Sequence, residues 1–396
     1  MKHVIDWNDK AKRMETIKMK RNLMTGAAAL ISAAMLFSCS GKGVKVVVEN
    51  DSELSRVNET VELDFRALAA DVEGLTEDNA LILDASGKQV PVQVYTERHG
   101  EKKLIFQTTV AAGQIAEYSV ATGEREPYDT LVYSRYVPER ADDYAYENNL
   151  VAGRIYGPAL EDPRTFGPDI WLKCTDRLII DEWYAKADYH HNYGDGMDCY
   201  KVANTLGGGA LAPFVGEKIV LGDNYATQER ICNGPLRTKA VLKYDTFDVD
   251  GNLVSAVKEI SLDANTRFLK TSTWFDSVNL EEMPVVLGAV LHDVVARTDG
   301  DHYIAFTEKA SDTSDPDRDG NISVGLVVDA AEQNVEASTM DGHAVLKATA
   351  TIGKRFDVWT GSGWSQGGVE SPEAWARIVK DFAYAQAHPL KVTVVK

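Results

Sequence analysis

Short segments rich in Val, Ile, Thr and aromatic residues recur along most of the chain, and they constrain the fold more than any other feature. Between Val44 and Gly123 these segments alternate apolar with polar residues and are separated by Gly, Asn, Asp or Ser. Alternation with a period of two is typical of strands that bury one face. The pattern predicts a small N-terminal β-sandwich module over residues 44–124.

Longer strand-like segments follow from residue 150, and many span eight to ten residues. Long antiparallel strands of this kind form large two-sheet sandwiches. No repeat of about 20–50 residues is evident, which argues against a propeller or a solenoid. We therefore predict a mainly β protein with a large antiparallel sandwich over residues 150–396. The charged and aromatic stretch 125–149 is interpreted as a linker.

One helix is predicted, close to the C-terminus. Ser371 supplies an N-cap, and Pro372 suits the first helical position. Apolar residues then follow at helical spacing, and His388 precedes a proline that ends the helix. The predicted helix spans residues 372–387 and packs across the sandwich.

The N-terminal residues resemble an export signal rather than part of a fold. A basic segment around Lys20 precedes the apolar run 24–37, which is too short to span a bilayer. The letters LFSC that follow resemble a bacterial lipobox. The pattern predicts a signal peptide over residues 1–38 and a lipidated Cys39.

The charge of the chain limits its partners. Residues 1–18 contribute nothing to the predicted export signal, so Met19 is a second candidate start. Residues 39–43 are predicted to form a lipidated tether. The net charge is −18 for the whole chain and +4 for residues 1–38, which leaves −22 on the remainder. Such a field repels phosphate backbones and anionic lipids. Nucleic acid is not a predicted partner, and the lipid is the only predicted membrane contact.

The stretch DYHHNYGDGMDCYKV, residues 188–202, holds the main catalytic candidates. A histidine beside a carboxylate can take or give a proton near neutral pH. Alternate residues share one face of a strand, so a strand through both histidines puts Tyr189 and His191 together. We predict that His191 titrates, that Asp195 orients it and that His190 contributes mainly to stability. The alternative is a polar hairpin with solvated histidines.

Further candidates extend this site. Arg154 is predicted to clamp a carboxylate, the alternative being a strand arginine paired with acids. Four tryptophans are candidates for sugar binding, because exposed indoles stack on sugar rings. The alternative is that they are buried in the core. The remaining catalytic candidate is Tyr193, and the substrate-binding candidates are Trp359, Trp364, Trp171, Trp183, Tyr200 and Lys201.

A calcium site is predicted at Asp315, Asp317 and Asp319, which precede Gly320 as in the first half of an EF-hand loop. The twelfth position is Leu326 rather than Glu, so the full EF-hand pattern fails. The alternative is an Asp-rich turn. No other cofactor is predicted to be required.

Several phrases together resemble a known family. YENNLVAGRIYGPAL, GPDIW, DYHHNYGDGMDCYKV, HYIAFTEKASD and WTGSGWSQGG are similar to a Bacteroidota lipoprotein domain of unknown function found among polysaccharide-utilisation genes. The resemblance implies a galactose-mutarotase-like β-supersandwich and an oligosaccharide or polysaccharide partner. Residues 40–43 lack the acidic residues of a Bacteroidota surface-export signal. We therefore expect an outer-membrane lipoprotein that faces the periplasm.

Two classes of function remain open at this point. The first is a lyase or hydrolase of uronate-containing glycans, with a histidine base, a tyrosine acid and an arginine clamp for elimination. Hydrolysis needs two carboxylates, for which Asp195 and Asp198 are the nearest pair. A mutarotase-like epimerase is a further enzymatic alternative. The second class is a non-catalytic glycan-binding lipoprotein in which the tryptophans bind the ligand.

Overall fold

Antiparallel β-strands make up most of the structure, which confirms the predicted fold class. The computed structural model describes residues 43–160, 166–186 and 188–396. The predicted signal peptide and Cys39 lie outside the described residues. Residues Gly43–Lys396 form one compact unit.

The elements are numbered in chain order. The strands are β1 Lys45–Glu49, β2 Arg56–Asp64, β3 Ala80–Asp84, β4 Gln89–Val90, β5 Val92–Thr96, β6 Lys102–Val110, β7 Ile115–Thr122, β8 Val132–Val137, β9 Asp143–Asn148, β10 Ala152–Ile155, β11 Asp169–Lys173, β12 Gly196–Asp198, β13 Ala210–Val215, β14 Lys218–Ile219, β15 Thr227–Asn233, β16 Arg237–Val249, β17 Asn252–Asp263, β18 Phe268–Asp276, β19 Glu282–Val290, β20 Val294–Asp299, β21 Tyr303–Lys309, β22 Asn321–Val328, β23 Glu336–Met340, β24 His343–Thr351, β25 Arg355–Trp364 and β26 Lys391–Val395. The helices are α1 Phe65–Asp71, α2 Ile180–Ala185, α3 Pro316–Asp319 and α4 Pro372–Ala387.

The N-terminal module contains two sheets around a core of its own. One sheet has the order β26-β1-β7-β3-β4, and the other has the order β2-β6-β5. The last strand of the chain, β26, pairs antiparallel with β1 and places Val394 opposite Val46. The N-terminal module therefore also contains β26 from the end of the chain. The predicted module, residues 44–124, did not include this strand.

The large sandwich joins an eight-stranded sheet to a five-stranded sheet. The larger sheet has the order β15-β16-β17-β18-β25-β22-β21-β20, and the smaller has the order β14-β13-β19-β24-β23. Aliphatic side chains from both sheets form the main core between them. These two sheets correspond to the large sandwich that the sequence predicts.

A further five-stranded sheet, β12-β11-β10-β9-β8, carries the polar residues of interest. Two of its strands, β8 and β9, come from the stretch interpreted as a linker, and every residue of β9 is buried. The linker interpretation is wrong because the charged residues of β9 find partners inside the sheet. One face packs on the eight-stranded sheet through Tyr146 and Ile155, and α2 covers the other face through Trp183.

The C-terminal helix α4 begins and ends where the sequence predicts. The Ser371 hydroxyl accepts a hydrogen bond from the Ala374 amide at 3.2 Å and caps the helix. Trp375 and Val379 are buried against the outer face of the eight-stranded sheet, next to Trp359. No helix among the described residues is long and apolar enough to cross a membrane.

Candidate active site

A buried charge cluster lies on the α2-facing side of the sheet that contains β8 to β12. Side chains alternate between the faces of a strand, and the register places Arg154 opposite Asp169 on the neighbouring strand. Asp143 of β9 and Asp198 of β12 share this face. We call these four residues, Arg154, Asp143, Asp169 and Asp198, the Arg154 cluster. All four side chains are at most 4% exposed.

Each nitrogen of the Arg154 guanidinium has a partner. Nη2 lies 2.8 Å from Asp169 Oδ2 and 3.2 Å from Asp198 Oδ2. Nη1 lies 3.5 Å from Asp143 Oδ2 and donates to the Tyr189 hydroxyl at 2.9 Å, and Nε donates to Asp169 at 2.9 Å. The guanidinium has no free edge for a substrate carboxylate, so Arg154 matches the alternative of a strand arginine paired with acids.

The cluster has more carboxylates than cations. Burial raises the pKa of Asp143 to about 6. Burial, the charge of Asp169 and a hydrogen bond to it raise the pKa of Asp198 well above its ordinary value. Oδ1 of Asp143 and Oδ1 of Asp198 have no hydrogen-bond partner among the described residues.

Three side chains at the edge of the cluster reach solvent, and we call them the rim: Tyr189, His190 and Arg140. The His190 ring lies 4.9 Å from the Tyr189 ring between centroids. His190 Nδ1 is 3.0 Å from the Asp198 carbonyl oxygen, and its side chain is 48% exposed. A ligand that approaches from solvent meets the rim before it meets the carboxylates.

Arg140 supplies a second cation near Tyr189. Burial lowers the pKa of Arg140, but its interactions with Tyr189 and Asp143 outweigh burial, so the net shift is upward. The Tyr189 hydroxyl accepts its hydrogen bond from Arg154, and Arg140 is the second cation at the rim.

The structure corrects the predicted roles of His191 and Asp195. The Asp188 carboxylate accepts a hydrogen bond from the His190 amide at 2.9 Å, and no strand runs through residues 188–191. The alternation on which the choice of His191 depended is therefore absent. His191 is exposed and contacts Tyr193 at 4.9 Å between centroids, while Asp195 accepts from Arg177 at 2.7 Å. His190, rather than His191, contacts the acid and the tyrosine.

The predicted tryptophan platforms are not on the surface. All four indoles are at most 6% exposed, so no ring face is open to a sugar. Trp171 and Trp183 pack together at 5.3 Å between centroids behind the rim. The other two are Trp359, which contacts α4, and Trp364, which donates to the Asp319 carbonyl oxygen at 2.7 Å. Trp171, Trp359 and Trp364 are buried because their strands face a helix or the opposite sheet, and Trp183 is buried because it lies on the face of α2 that packs on the sheet.

Three further candidates lie away from the cluster. Tyr200 is buried in the main core, and its hydroxyl donates to the Gly207 carbonyl oxygen at 3.1 Å. Tyr193 is 60% exposed, and Lys201 is also exposed. None of the contacts described here joins them to the Arg154 cluster, so the structure does not bring these residues into one site.

The three carboxylates of the predicted calcium site have other partners. Asp315 caps α3, and Asp317 pairs with Lys309 at 3.0 Å. Asp319 pairs with Arg318 at 2.8 Å. Within the described ranges, no group of three or more His, Cys, Asp or Glu residues is arranged to hold a metal ion. The geometry corresponds to the Asp-rich turn that the sequence left as the alternative.

Asp143, Asp169 and Arg140 are site residues that the sequence patterns did not predict. Asp143 begins the stretch DYAYEN, in which acidic residues and aromatic residues alternate with a period of two. That pattern is typical of a strand with one polar face. It was overlooked because the whole stretch was interpreted as a linker.

The chain belongs to a family described as a domain of unknown function, DUF4861, whose profile matches residues 48–392. It is 28% identical over 392 residues to uncharacterized protein P7 of Formosa agariphila, covering 92% of this chain and 98% of that relative.

Two solved structures from Enterococcus faecalis match most of this chain. An alpha-mannosidase matches 90% of this chain with a TM-score of 0.51 and 9% sequence identity. A glycosyl hydrolase family 38 protein matches 90% of this chain with a TM-score of 0.48 and 9% identity. The chain spans about half the length of these proteins, 46% and 48% respectively. At this identity the likeness concerns the fold alone.

Proposed function

We propose that the chain is a carbohydrate-active protein that cleaves uronate-containing oligosaccharides by β-elimination at the rim. One observation carries this proposal: the Tyr189 hydroxyl accepts a hydrogen bond from the Arg154 guanidinium at 2.9 Å and its ring lies against the exposed His190. The fold similarity to a protein named as an alpha-mannosidase supports a carbohydrate ligand.

Each rim residue suits one requirement of elimination. His190 takes the proton from C5 of the uronate as a general base, and Tyr189 donates a proton to the leaving oxygen. The Arg140 guanidinium pairs with the uronate carboxylate and stabilises the charge that develops there. The C5–H bond and the C4–O bond break, a C4–C5 double bond forms, and the leaving sugar receives the tyrosine proton. The Arg154 cluster holds Tyr189 in position.

Hydrolysis is the second candidate. Asp143 and Asp198 have raised pKa values and unpartnered oxygens, as the general acid of a hydrolase requires. Against it, both carboxylates are almost fully buried behind the rim. A hydrolase acid has to touch the glycosidic oxygen, so burial favours elimination at the accessible side chains.

The test is an activity screen of the purified protein against oligosaccharides that contain different uronates. Elimination gives an unsaturated product with ultraviolet absorbance, whereas hydrolysis gives reducing ends without it. We expect Tyr189→Phe to lose the absorbing product and Tyr193→Phe, an exposed tyrosine in the same stretch, to retain it. Reducing ends without absorbance would favour hydrolysis. Full activity of Tyr189→Phe would contradict the proposed site.

We also propose that the protein is exported and anchored by lipid at Cys39, on the periplasmic side of the outer membrane. The support is the basic and apolar leader before LFSC in the sequence. Expressed in a bacterial host, the wild-type protein should appear in the membrane fraction and Cys39→Ala should be soluble or unprocessed. Recovery of the wild type entirely in the soluble fraction would contradict the anchor.

A further inference from the structure

A large cleft lies between the N-terminal module and the outer face of the eight-stranded sheet. Its volume is about 940 Å³, at the upper end of the range of about 300–1,000 Å³ that is usual for ligand pockets. Strands β2 and β6 form one wall, β16, β17, β18 and β25 form the second, and α4 forms a third side through Ile378 and Phe382. We call it the Ser261 cleft. Among the described residues, none that lines it belongs to the Arg154 cluster or to the rim.

Hydrogen bonds fix the walls of the Ser261 cleft to one another. Gln107 of β6 donates to the Ala264 carbonyl oxygen, which follows β17, at 2.8 Å. Arg56 of β2 donates to the Ala385 carbonyl oxygen of α4 at 3.2 Å. Each bond joins the N-terminal module to another wall. The cleft is therefore preformed, so a ligand that enters it orders few side chains and loses little affinity for that reason.

Polar side chains form a row across the sheet wall of the cleft. The register pairs Lys239 with Ser261, Ser261 with Lys270, and Lys270 with Trp359. Paired residues on neighbouring strands share one face of a sheet, and all four residues line the cleft. The Trp359 ring is covered by α4 and by Lys270, whose Nζ lies 4.9 Å from the ring centroid. The row therefore presents hydrogen-bonding groups to a ligand rather than an aromatic surface.

The charges in the cleft are nearly balanced. Lys239 lies 2.7 Å from both Glu97 and Glu259, and Arg237 donates to Asp263 at 2.7 Å. Seven cationic and six acidic side chains line the cleft, although the whole chain has a net charge of −18. A highly charged ligand of either sign therefore meets about as much repulsion as attraction there.

The paired side chains retain hydrogen-bonding capacity for a ligand. A lysine ammonium has three N–H donors and a carboxylate has about four lone-pair sites, so an ion pair does not use all of them. Pairing also places a donor beside an acceptor in a fixed position. A hydroxyl group both donates and accepts, so a hydroxyl-rich ligand matches such pairs better than a ligand that only accepts.

We propose that the Ser261 cleft binds uncharged oligosaccharide segments, so that the protein holds a glycan at a second site in addition to the rim. The volume suits an oligomer rather than a single small ligand. The balanced charges give no advantage to a chain of uronates, and the paired donors and acceptors suit sugar hydroxyl groups. Binding in the cleft does not require that elimination takes place at the rim.

The experiment is isothermal titration calorimetry of the full chain with uncharged hexasaccharides of glucose, mannose, galactose and xylose, and with a hexasaccharide of galacturonate. We expect at least one uncharged hexasaccharide to bind the wild type. Binding is read without turnover, so a protein that binds these sugars but forms no unsaturated product would support the cleft and contradict elimination at the rim. Failure of all four uncharged hexasaccharides to bind would overturn the proposal.

Ser261→Tyr places the binding in the cleft. The larger side chain fills the middle of the row without removing an ion pair, and the affinity should fall by at least about tenfold, the effect of losing one hydrogen bond to a charged group. The matched control is Ser255→Tyr, the same change on the same strand and the same face, outside the cleft. It should bind as the wild type does. Equal affinity in wild type and Ser261→Tyr, or equal losses in the two variants, would overturn the proposal.

Lys270→Ala keeps the proposal testable if Ser261→Tyr does not fold. It removes one donor of the row, while its partner Asp357 retains Arg355 at 2.7 Å. The affinity for the uncharged hexasaccharide should fall by about tenfold, and unchanged affinity would contradict the role of the row. If only the galacturonate hexasaccharide bound and Lys270→Ala abolished that binding, the assignment of uncharged sugars would be wrong.

Discussion

Two buried charge groups share one face of the sheet that contains β8 to β12, and they are built in opposite ways. In the first, Lys173 Nζ lies 3.0 Å from Glu147 Oε2, and neither side chain is exposed. Glu147 also accepts from the amides of Ile179 and Ile180 at 2.8–2.9 Å, and Lys173 donates to the Asn148 carbonyl oxygen at 2.6 Å. One negative charge meets one positive charge, and the bonds hold the start of α2 to the sheet.

The Arg154 cluster is unbalanced. Three carboxylates surround one guanidinium, two carboxylate oxygens have no partner among the described residues, and the rim leaves the cluster open on one side. A balanced, closed ion pair is sufficient as a structural contact. Burial raises the pKa of Glu147 as well, so the balance of charge and the access to solvent distinguish the two groups. Excess carboxylates beside accessible titratable groups are more typical of a reaction site. The difference supports the proposal that the Arg154 cluster and its rim form the functional site.

The largest expected effect comes from breaking the balanced pair. Lys173→Met leaves Glu147 buried without its cation and should lower the free energy of unfolding by about 3–5 kcal/mol. Denaturant unfolding measures this loss. The double variant Lys173→Met with Glu147→Gln should recover part of it, because no buried charge remains. A single variant as stable as the wild type would show that the pair contributes nothing.

Asp143→Asn should raise the free energy of unfolding at neutral pH, whereas Lys173→Met lowers it. The pKa of Asp143 is about 6 in the folded protein and 3.8 in the reference state. Because the folded value is the raised one, the ionised carboxylate destabilises the folded state, and the penalty reaches about 3 kcal/mol above pH 6. Asn removes the penalty, so the variant should be more stable at pH 7, and the difference should vanish as the pH falls below 4.

The matched control for Asp143→Asn is Glu147→Gln. Burial raises the pKa of Glu147 too, but its removal leaves the Lys173 ammonium buried without a carboxylate. The control should therefore lose stability at pH 7. Unfolding of both variants is followed by melting temperature from pH 4 to pH 8. If both variants gained stability at pH 7, or both lost it, the distinction between the balanced and unbalanced groups would be contradicted.

Tyr189→Phe tests the contact between the cluster and the rim. It deprives Arg154 Nη1 of a hydrogen-bond acceptor at 2.9 Å. Because the residue is half-buried, the expected loss is about 1–2 kcal/mol of unfolding free energy, smaller than for Lys173→Met. Tyr193→Phe removes an exposed hydroxyl and should change stability by less than about 0.5 kcal/mol. If Tyr193→Phe lost as much unfolding free energy as Tyr189→Phe, the hydrogen bond between Tyr189 and Arg154 would not explain the loss.

Local patterns were sufficient for most of the fold. The alternation of apolar and polar residues predicts the β architecture, and Ser371 with Pro372 fixes the start of α4. Local patterns could not reveal that β26 pairs with β1, because that pairing joins the two ends of the described chain. The pattern DYAYEN does indicate the strand β9, but local patterns could not show which sheet β8 and β9 join, since the partners of their charged residues lie on other strands.

The site was predicted only in part, for a similar reason. Tyr189, His190 and Arg154 were among the candidates and do lie together. The strand on which the choice of His191 depended is absent, because the Asp188 carboxylate accepts from the His190 amide and turns the chain there. The pairing of Arg154 with Asp169 depends on the register between two strands, which sequence spacing does not specify.

The most direct test of the central claim compares the two neighbouring histidines. The rate at which the unsaturated product forms is measured for the wild type, His190→Ala and His191→Ala on one uronate-containing oligosaccharide. If His190 is the base at the rim, His190→Ala should lower the rate by about 10²–10⁴-fold, the range expected for the loss of a general base. His191→Ala should retain the wild-type rate. The opposite pattern, or full activity in both variants, would contradict the account.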